Sequence, residues 1–198
     1  MPKLIASFSM SLDGFIAGPD VDIGEPMGRG GERLHDWLFK SDSEVDAAMT
    51  REAFERVGAV LVGRRTFDIG IGQWEDTPFP APSFVLTHRG REPLAMKSGT
   101  FVFVTDGIDS ALEQAKRAAG SKDVVVMGAE TAQQYLKAGL VDEIVLQLVP
   151  VLLGAGTRLF DRLGEGGIEF IATRTLESPS VTHLKFEPAR GAGQGGMT

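Results

Sequence analysis

Cysteine is absent from the 198 residues. Disulfides, thiolate metal sites and cysteine nucleophiles are therefore excluded. A chain without disulfides suits a reducing compartment, and a cytoplasmic location is the expectation. Histidine occurs only as His35, His88 and His183, at no spacing that ligates a metal, so no metal site is expected. No apolar run approaches the ~18 residues that span a bilayer. Met1, Pro2 and Lys3 lead straight into a strand-like run, which is no secretory signal. No nucleophile elbow for Ser/His/Asp hydrolysis is present. Positive charge is also short: 20 Lys and Arg stand against 27 Asp and Glu, for a net charge of −7. Nucleic acid and anionic membrane surfaces are thus not the expected partners, and a small molecule is.

What is present is an ordinary globular composition, 42% hydrophobic and 24% charged. Short apolar runs at 4–10, 59–63, 83–87, 100–105, 123–127, 143–149, 167–175 and 181–187 read as strands. Helical patterns lie between many of them. Ser41 and Glu44 have the spacing of a capping box, and the helix after it puts Val45, Met49, Ala53 and Val57 on one face. Asp109 is the expected cap of a helix with Leu112, Ala115 and Ala119 inward, stopped by Gly120. Glu113 can pair with Arg117 one turn later. A third helix covers 131–138 and ends at Gly139.

Strands interleaved with helices imply an α/β fold with a mixed, mostly parallel sheet covered by helices. The last two strands lack a helix between them and should form an antiparallel hairpin at one edge. One domain over 1–190 is expected, followed by a disordered Gly-rich tail at 191–198. Residues 18–31, rich in Gly, Pro and Asp, read as a long, mobile loop.

Three strand ends deliver backbone N–H groups or a hydroxyl where a helix or loop begins. At the first, an apolar strand runs into Gly63, Arg64, Arg65 and Thr66. Amides at a helix start beside a guanidinium are how a protein grips phosphate. At the second, Val125 to Met127 run into Gly128, Ala129, Glu130 and Thr131; with one glycine this is not the Gly-x-Gly-x-x-Gly fingerprint, but a pyrophosphate suits the exposed amides. At the third, Thr87, His88 and Arg89 leave a strand and can hold another phosphate. Taken singly, each is also compatible with a plain turn and solvated side chains. Ligands of open α/β sheets bind outside the strand carboxyl ends, where all three converge. Small residues from Ser11 to Gly18 would let a flat ring lie against the backbone, with the following loop as a lid. Gly154 and Gly156 allow another close approach.

In this order and spacing, the segments resemble the dihydrofolate reductase-like superfamily, in particular the reductase domain of the riboflavin-biosynthesis deaminase-reductase and its stand-alone relatives. The carriers are Ser11 to Gly18, Gly63 to Phe67, Val85 to His88, Met127 to Glu130 and Gly139 to Gly156, so the resemblance spans nearly the whole chain. It implies a central mixed sheet flanked by helices, with NADPH across the sheet's carboxyl edge. It implies that Gly63, Arg64, Arg65, Thr66, Thr87, His88 and Arg89 hold the adenosine phosphates, and that the basic side chains favour NADPH over NADH. Gly128, Ala129, Glu130 and Thr131 would hold the pyrophosphate, Ala17 and Gly18 would face the nicotinamide, and Gly154 and Gly156 would also approach the cofactor. The family commonly has two adjacent glycines, often joined by a cis peptide, where this chain has Gly128 and Ala129.

The implied reaction is hydride transfer to a small conjugated heterocycle such as a pteridine or ribosylaminopyrimidine, by an NADPH-dependent oxidoreductase. Its proton needs a donor. Asp46 stands where the resemblance places a carboxylate on the first helix, and Asp13 ends the first strand. A pKa raised by burial would suit either. The plainer readings are a residue complementing a helix dipole for Asp46 and a turn residue bonding its own backbone for Asp13. Trp37 and Met49 are the candidate substrate contacts. Family members commonly pair as homodimers through a sheet edge. Two other readings stay open: a nucleotide-binding protein without turnover, and an FMN-binding redox protein.

Overall fold

The computed structural model describes residues 1–189, and the expected tail at 191–198 lies outside the described residues. The chain opens with β1 (Leu4–Ser11) and a short β2 (Phe15–Ala17). A 3-10 turn over Gly31–His35 leads into α1 (Asp36–Phe39), then α2 (Glu44–Arg56). After β3 (Val57–Gly63) and α3 (Arg64–Trp74) come β4 (Ser83–Leu86), β5 (Leu94–Ala95) and β6 (Thr100–Val104). The second half runs α4 (Gly107–Ala119), β7 (Asp123–Met127), α5 (Ala129–Lys137) and β8 (Glu143–Val149). It ends in β9 (Thr157–Arg158), β10 (Phe170–Glu177) and β11 (Thr182–Pro188).

Nine strands form one sheet in the order β10-β11-β8-β1-β7-β3-β4-β6-β5, and β2 pairs with β9 apart from it. The six strands from β8 to β6 are parallel, and β10-β11 and β5 close the two edges antiparallel. This is the mixed sheet with a carboxyl-terminal hairpin that the alternating pattern implies. Central strands such as β3 are near-continuous Val, Leu and Ala because both of their faces are covered.

The two faces are packed unequally. On one, Ala111, Leu112 and Ala115 of α4 and Ala132, Tyr135 and Leu136 of α5 cover Leu4, Ala6, Leu61, Val124 and Val126 in the larger core. Each of these side chains removes about 1.5–3 kcal/mol worth of apolar surface from water if fully buried, less for alanine. On the other, α3 covers the β3-β4-β6 side through Phe67, with Val62, Val85 and Phe101 beneath it. Toward β1, β7 and β8 a smaller cluster joins Ile5, Val125 and Val145 to Val57 and Val60 of β3 and to Ala81, with Phe79 and Met127 packed against it. A cleft of about 1610 Å³ opens there and runs on to the carboxyl edge of the sheet.

Several local expectations change. Ser41 is not a helix cap: its hydroxyl donates to Asp46 Oδ2 (2.6 Å) and accepts from the Ser43 amide (3.1 Å), and α2 begins at Glu44. The sheet-facing side of α2 carries Asp46 and Met49, while Ala53 is exposed. The residue before α4 is Asp106 rather than Asp109, although Gly120 ends it and Arg117 meets Glu113 at 3.0 Å as expected. The loop at 18–31 is closed on itself. Gly18 N donates to Met27 O (2.8 Å), Arg29 N to Pro19 O (2.9 Å) and Gly28 N to Glu25 O (2.8 Å). Its Gly, Pro and Asp content is turn chemistry, and these turns interlock. Among the described residues no peptide bond is cis, including the bond between Gly128 and Ala129.

Candidate functional site

Strands β3 and β7 are parallel neighbours, so helices α3 and α5 begin side by side at the carboxyl edge. Each starts on a glycine that supplies no side-chain cap, Gly63 and Gly128. The first-turn N–H groups of both helices are thus left for something else to bind. The two starts interlock. A Cβ on Gly63 would sit 2.5 Å from Thr131 Oγ1, and a Cβ on Gly128 would collide with Thr66 Oγ1. Gly128 also has φ 88°, a conformation that side chains resist. Each glycine therefore makes room for the third helical residue of the opposite helix, and the hydroxyls of Thr66 and Thr131 lie between two convergent helix dipoles.

Cations and further hydroxyls surround this point. Arg64, Arg65, Thr87, His88 and Arg89 line the cleft. Arg65 Nη2 also reaches Val21 O (3.3 Å), linking α3 to the loop at 18–31. Arg64 is paired with Asp68 at 2.8 Å, which neutralises part of its charge. Thr87 Oγ1 accepts from Arg89 N (3.1 Å) in a tight strand exit.

Of the residues picked from sequence, Ala17, Gly63, Arg64, Arg65, Thr66, Thr87, His88, Arg89, Gly128, Ala129, Glu130, Thr131, Trp37 and Met49 share this one cleft. Gly18, Gly154, Gly156, Asp13 and Asp46 do not line it. Gly156 packs on the carbonyl of Ala17, and Gly18 on the backbone of Arg29, so both support the wall from behind.

Both candidate acids are held elsewhere, and in the opposite protonation tendency from that expected. Asp13 accepts from Ser11 Oγ (2.6 Å), Gly154 N (2.7 Å) and Leu153 N (3.2 Å). The Ser11 hydroxyl, helped by the two amides, holds its carboxyl down at about 2. Asp46 is 2% exposed. Burial pushes its carboxyl up, but bonds from Ser41, His183, Ser178 and Ser180 outweigh this and hold it below the usual range. Carboxylates so stabilised stay ionised at neutral pH and are poor proton donors.

Asp46 belongs to a polar ladder that suspends α2 over the sheet. Its Oδ1 lies 2.7 Å from His183 Nε2 of β11. Two turns on, Glu52 meets Lys185 (3.2 Å) and Arg174 (2.6 Å). At the helix end, Arg56 meets Glu143 (2.7 Å) and Asp123 (3.0 Å). These contacts tie α2 to β8, β10, β11 and the start of β7, and leave the floor over β1 open. Trp37 closes the near end: its Nε1 donates to Ser9 Oγ (2.9 Å), and its ring meets His183 edge-on at 5.1 Å between centroids. His35 lines the same end, and burial lowers its pKa from the usual histidine value.

Sequence reading missed the floor of this half, which Ser7, Ser9 and Gln147 line with Ile5, Val125 and Val145. A signal existed. Ser7 and Ser9 alternate inside an apolar strand, and Gln147 interrupts the run from Ile144 to Val149. Buried polar side chains need partners, so a polar residue at a core-facing strand position raises the question of what serves it.

The cleft thus has two halves: a cationic carboxyl edge with two bare helix starts, and a flat, partly polar floor under α2. Comparisons with known proteins bear on the fold and the family. A solved structure of a protein provisionally assigned to riboflavin biosynthesis in Shewanella sp. PV-4 is 28% identical, with a TM-score of 0.74 over 95% of this chain and 99% of that one. RibD of Acinetobacter baumannii (19%) superposes with a TM-score of 0.65 over 96% of this chain and 59% of its own. Dihydrofolate reductase of Enterococcus faecalis, complexed with NADP(H), is 15% identical at a TM-score of 0.54 over 94% and 96% of the two chains, and shares the fold. Residues 2–184 match the RibD C-terminal domain family, and the chain belongs to that family.

Proposed function

We propose that this protein is an NADPH-dependent oxidoreductase that reduces a small conjugated heterocycle of the pteridine or ribosylaminopyrimidine kind. The observation that carries the reading is the pair of uncapped helix starts facing each other across Gly63 and Gly128, with Thr66 and Thr131 between them. This arrangement suits a pyrophosphate, because bare N–H groups and two dipole ends stabilise its charge without further side chains. Arg65, His88 and Arg89 supply donors for an extra phosphate. At about 1610 Å³ the cleft exceeds the roughly 300–1,000 Å³ of common single-ligand pockets, as a site for a dinucleotide plus substrate must. Family membership and the likeness to reductases support the same reading.

Bound there, the dinucleotide would supply a hydride. The chain's own part is positioning. Thr66, Thr131 and the two helix starts hold the phosphates, while Ala17 and Ile16 line the wall between the two halves. Trp37, Met49 and the β1 floor shape the substrate half. Neither Asp13 nor Asp46 lines this space, so the proton at nitrogen comes from solvent admitted to the cleft.

The ionised, fully engaged state of those two carboxylates favours one second reading, a nucleotide-binding protein without turnover. Parallel thermal-shift titrations with NADPH, NADH and FMN, followed by NADPH oxidation assays on a panel of heterocycles, separate the two. Selective stabilisation by NADPH with turnover supports the reductase. Stabilisation without turnover on any ring supports the second reading, and a preference for FMN overturns both. Pairing of two copies along β10 belongs to the same proposal. Ile171 on that edge is 58% exposed, and sedimentation or size-exclusion measurements test it.

A further inference from the structure

We infer that Gln147 is the specificity-determining residue of the substrate half, and that it reads a lactam edge, the –NH–C(=O)– face of a planar ring. The inference deepens the reading of this half as the substrate site and rests on it. Gln147 sits in the middle of β8 with Ser9 of β1 on one side and His183 of β11 on the other, all three in register. Ser9 accepts from Trp37 at 2.9 Å, and His183 Nε2 is bonded to Asp46 at 2.7 Å, while His183 Nδ1 is buried without a partner. Gln147 is 7% exposed and its carboxamide has no hydrogen-bond partner among the described residues. Its remaining exposure opens onto the cleft, which it lines.

The carboxamide is not among the buried unpartnered atoms, so cleft water serves it in the free protein, and a ring that displaces this water must offer a matching donor and acceptor or lose affinity. A carboxamide presents one acceptor and one donor side by side in a plane. Its complement is a donor and an acceptor side by side, which a lactam provides and an N-alkylated or carbonyl-free ring does not. Ser7, diagonally placed on β1 and also lining the floor without a partner, offers one more hydroxyl to the same ring. Val125 and Val145 beside them form an apolar bed for its flat face. Sites that hydrogen-bond a substrate group reject analogues lacking it far more strongly than apolar pockets reject a missing methylene.

The test is equilibrium binding of quinazoline-2,4-dione and its 1,3-dimethyl derivative, followed by tryptophan fluorescence and calorimetry, with and without NADP⁺. The wild-type protein is expected to prefer the unmethylated ring by about tenfold or more, the penalty of one or two lost buried hydrogen bonds. Gln147→Leu and Gln147→Met should each abolish that preference while leaving NADP⁺ affinity unchanged; either variant that folds, judged by circular dichroism, carries the result. Absence of a preference in the wild type, or its survival in the folded variants, overturns the inference and leaves Gln147 solvated by water alone. Loss of NADP⁺ binding by the wild type would instead overturn the reductase reading, since the ring is also titrated in the absence of nucleotide.

Discussion

His183 Nε2 lies 2.7 Å from Asp46 Oδ1, with the two side chains 2% and 3% exposed. The pair fastens the first turns of α2 to β11, and three serine hydroxyls, from Ser41, Ser178 and Ser180, complete the carboxylate. With Glu52 and Arg56 further along, it makes the sheet-facing side of α2 polar. The helix is therefore held at the flank of the sheet by directional contacts, and the cleft exists because that side of the helix does not collapse onto β1.

Breaking one partner of a buried pair strands the other, which is the expensive case. Asp46→Ala should lower unfolding free energy by about 3–5 kcal/mol, read as a fall in the urea midpoint. Nucleotide affinity should be nearly unchanged, because Asp46 is remote from Gly63 and Gly128 in the cleft wall. A variant as stable as the wild type would show that the serines and His183 re-satisfy themselves without the carboxylate.

Acid should destabilise the fold in a defined window. Asp13, Asp46, Glu52 and Glu143 all have folded-state pKa values below their ordinary 3.8 or 4.5. As pH falls the unfolded chain takes up protons first, so the carboxylates' contribution is complete above about pH 5 and declines below it, while buried His35, its pKa lowered from 6.5, adds a decline that begins near that value. For Asp13 the decline extends down to its folded value of about 2. Thermal midpoints measured from pH 7 to pH 3 should fall gently below about pH 6.5 with His35 and more steeply below about pH 5 with the carboxylates. The slope below pH 4 should be shallower in Asp13→Asn, and a wild-type midpoint at pH 3 equal to that at pH 6 would contradict the assignment.

The interlocked helix starts predict a coupling. Gly63 has an ordinary φ of −75°, so Gly63→Ala is strained only by Thr131 Oγ1, and the Thr131 Cβ lies a comfortable 3.9 Å away. The single variant should cost about 1–3 kcal/mol, the usual penalty of overpacking. The double variant with Thr131→Ala should recover most of it. A denaturant double-mutant cycle gives the coupling energy directly, and additivity would mean that the two helix starts do not touch in solution.

Charge at the carboxyl edge should discriminate between nucleotides. Under the proposed function, Arg65→Ala and Arg89→Ala each weaken NADPH binding by about tenfold or more, the scale of a charge-assisted hydrogen bond, and leave NADH nearly unaffected. Equal losses for both nucleotides would assign these arginines to the pyrophosphate, and no loss would remove them from the site.

Much of the fold was legible because burial on both faces leaves an unmistakable run of Val, Leu and Ile. The strands at 123–127 and 143–149 could be bounded to the residue. Strands β2, β5 and β9, of two or three residues, carry too few side chains to show any period, and they were missed. The carboxyl-edge half of the cleft was legible as glycine followed by a hydroxyl at the ends of two strands. The other half was not, since its floor is made by single polar residues such as Ser9 on β1 and Gln147 on β8, which are 138 positions apart in sequence and adjacent in register.

Local chemistry alone thus determined the alternation of strands and helices, the absence of cysteine-based sites and the glycine-led helix starts, because each depends on residues within a few positions of one another. Only the tertiary structure decided which side chains share a space. It brought Thr66 against Gly128 and Thr131 against Gly63, set Asp46 against His183 rather than in the cleft, and placed Gln147 on the cleft floor between Ser9 and His183. A carboxylate's protonation and a hydroxyl's role follow from what surrounds them, and for a sheet of parallel strands those surroundings come from segments that the chain order keeps far apart.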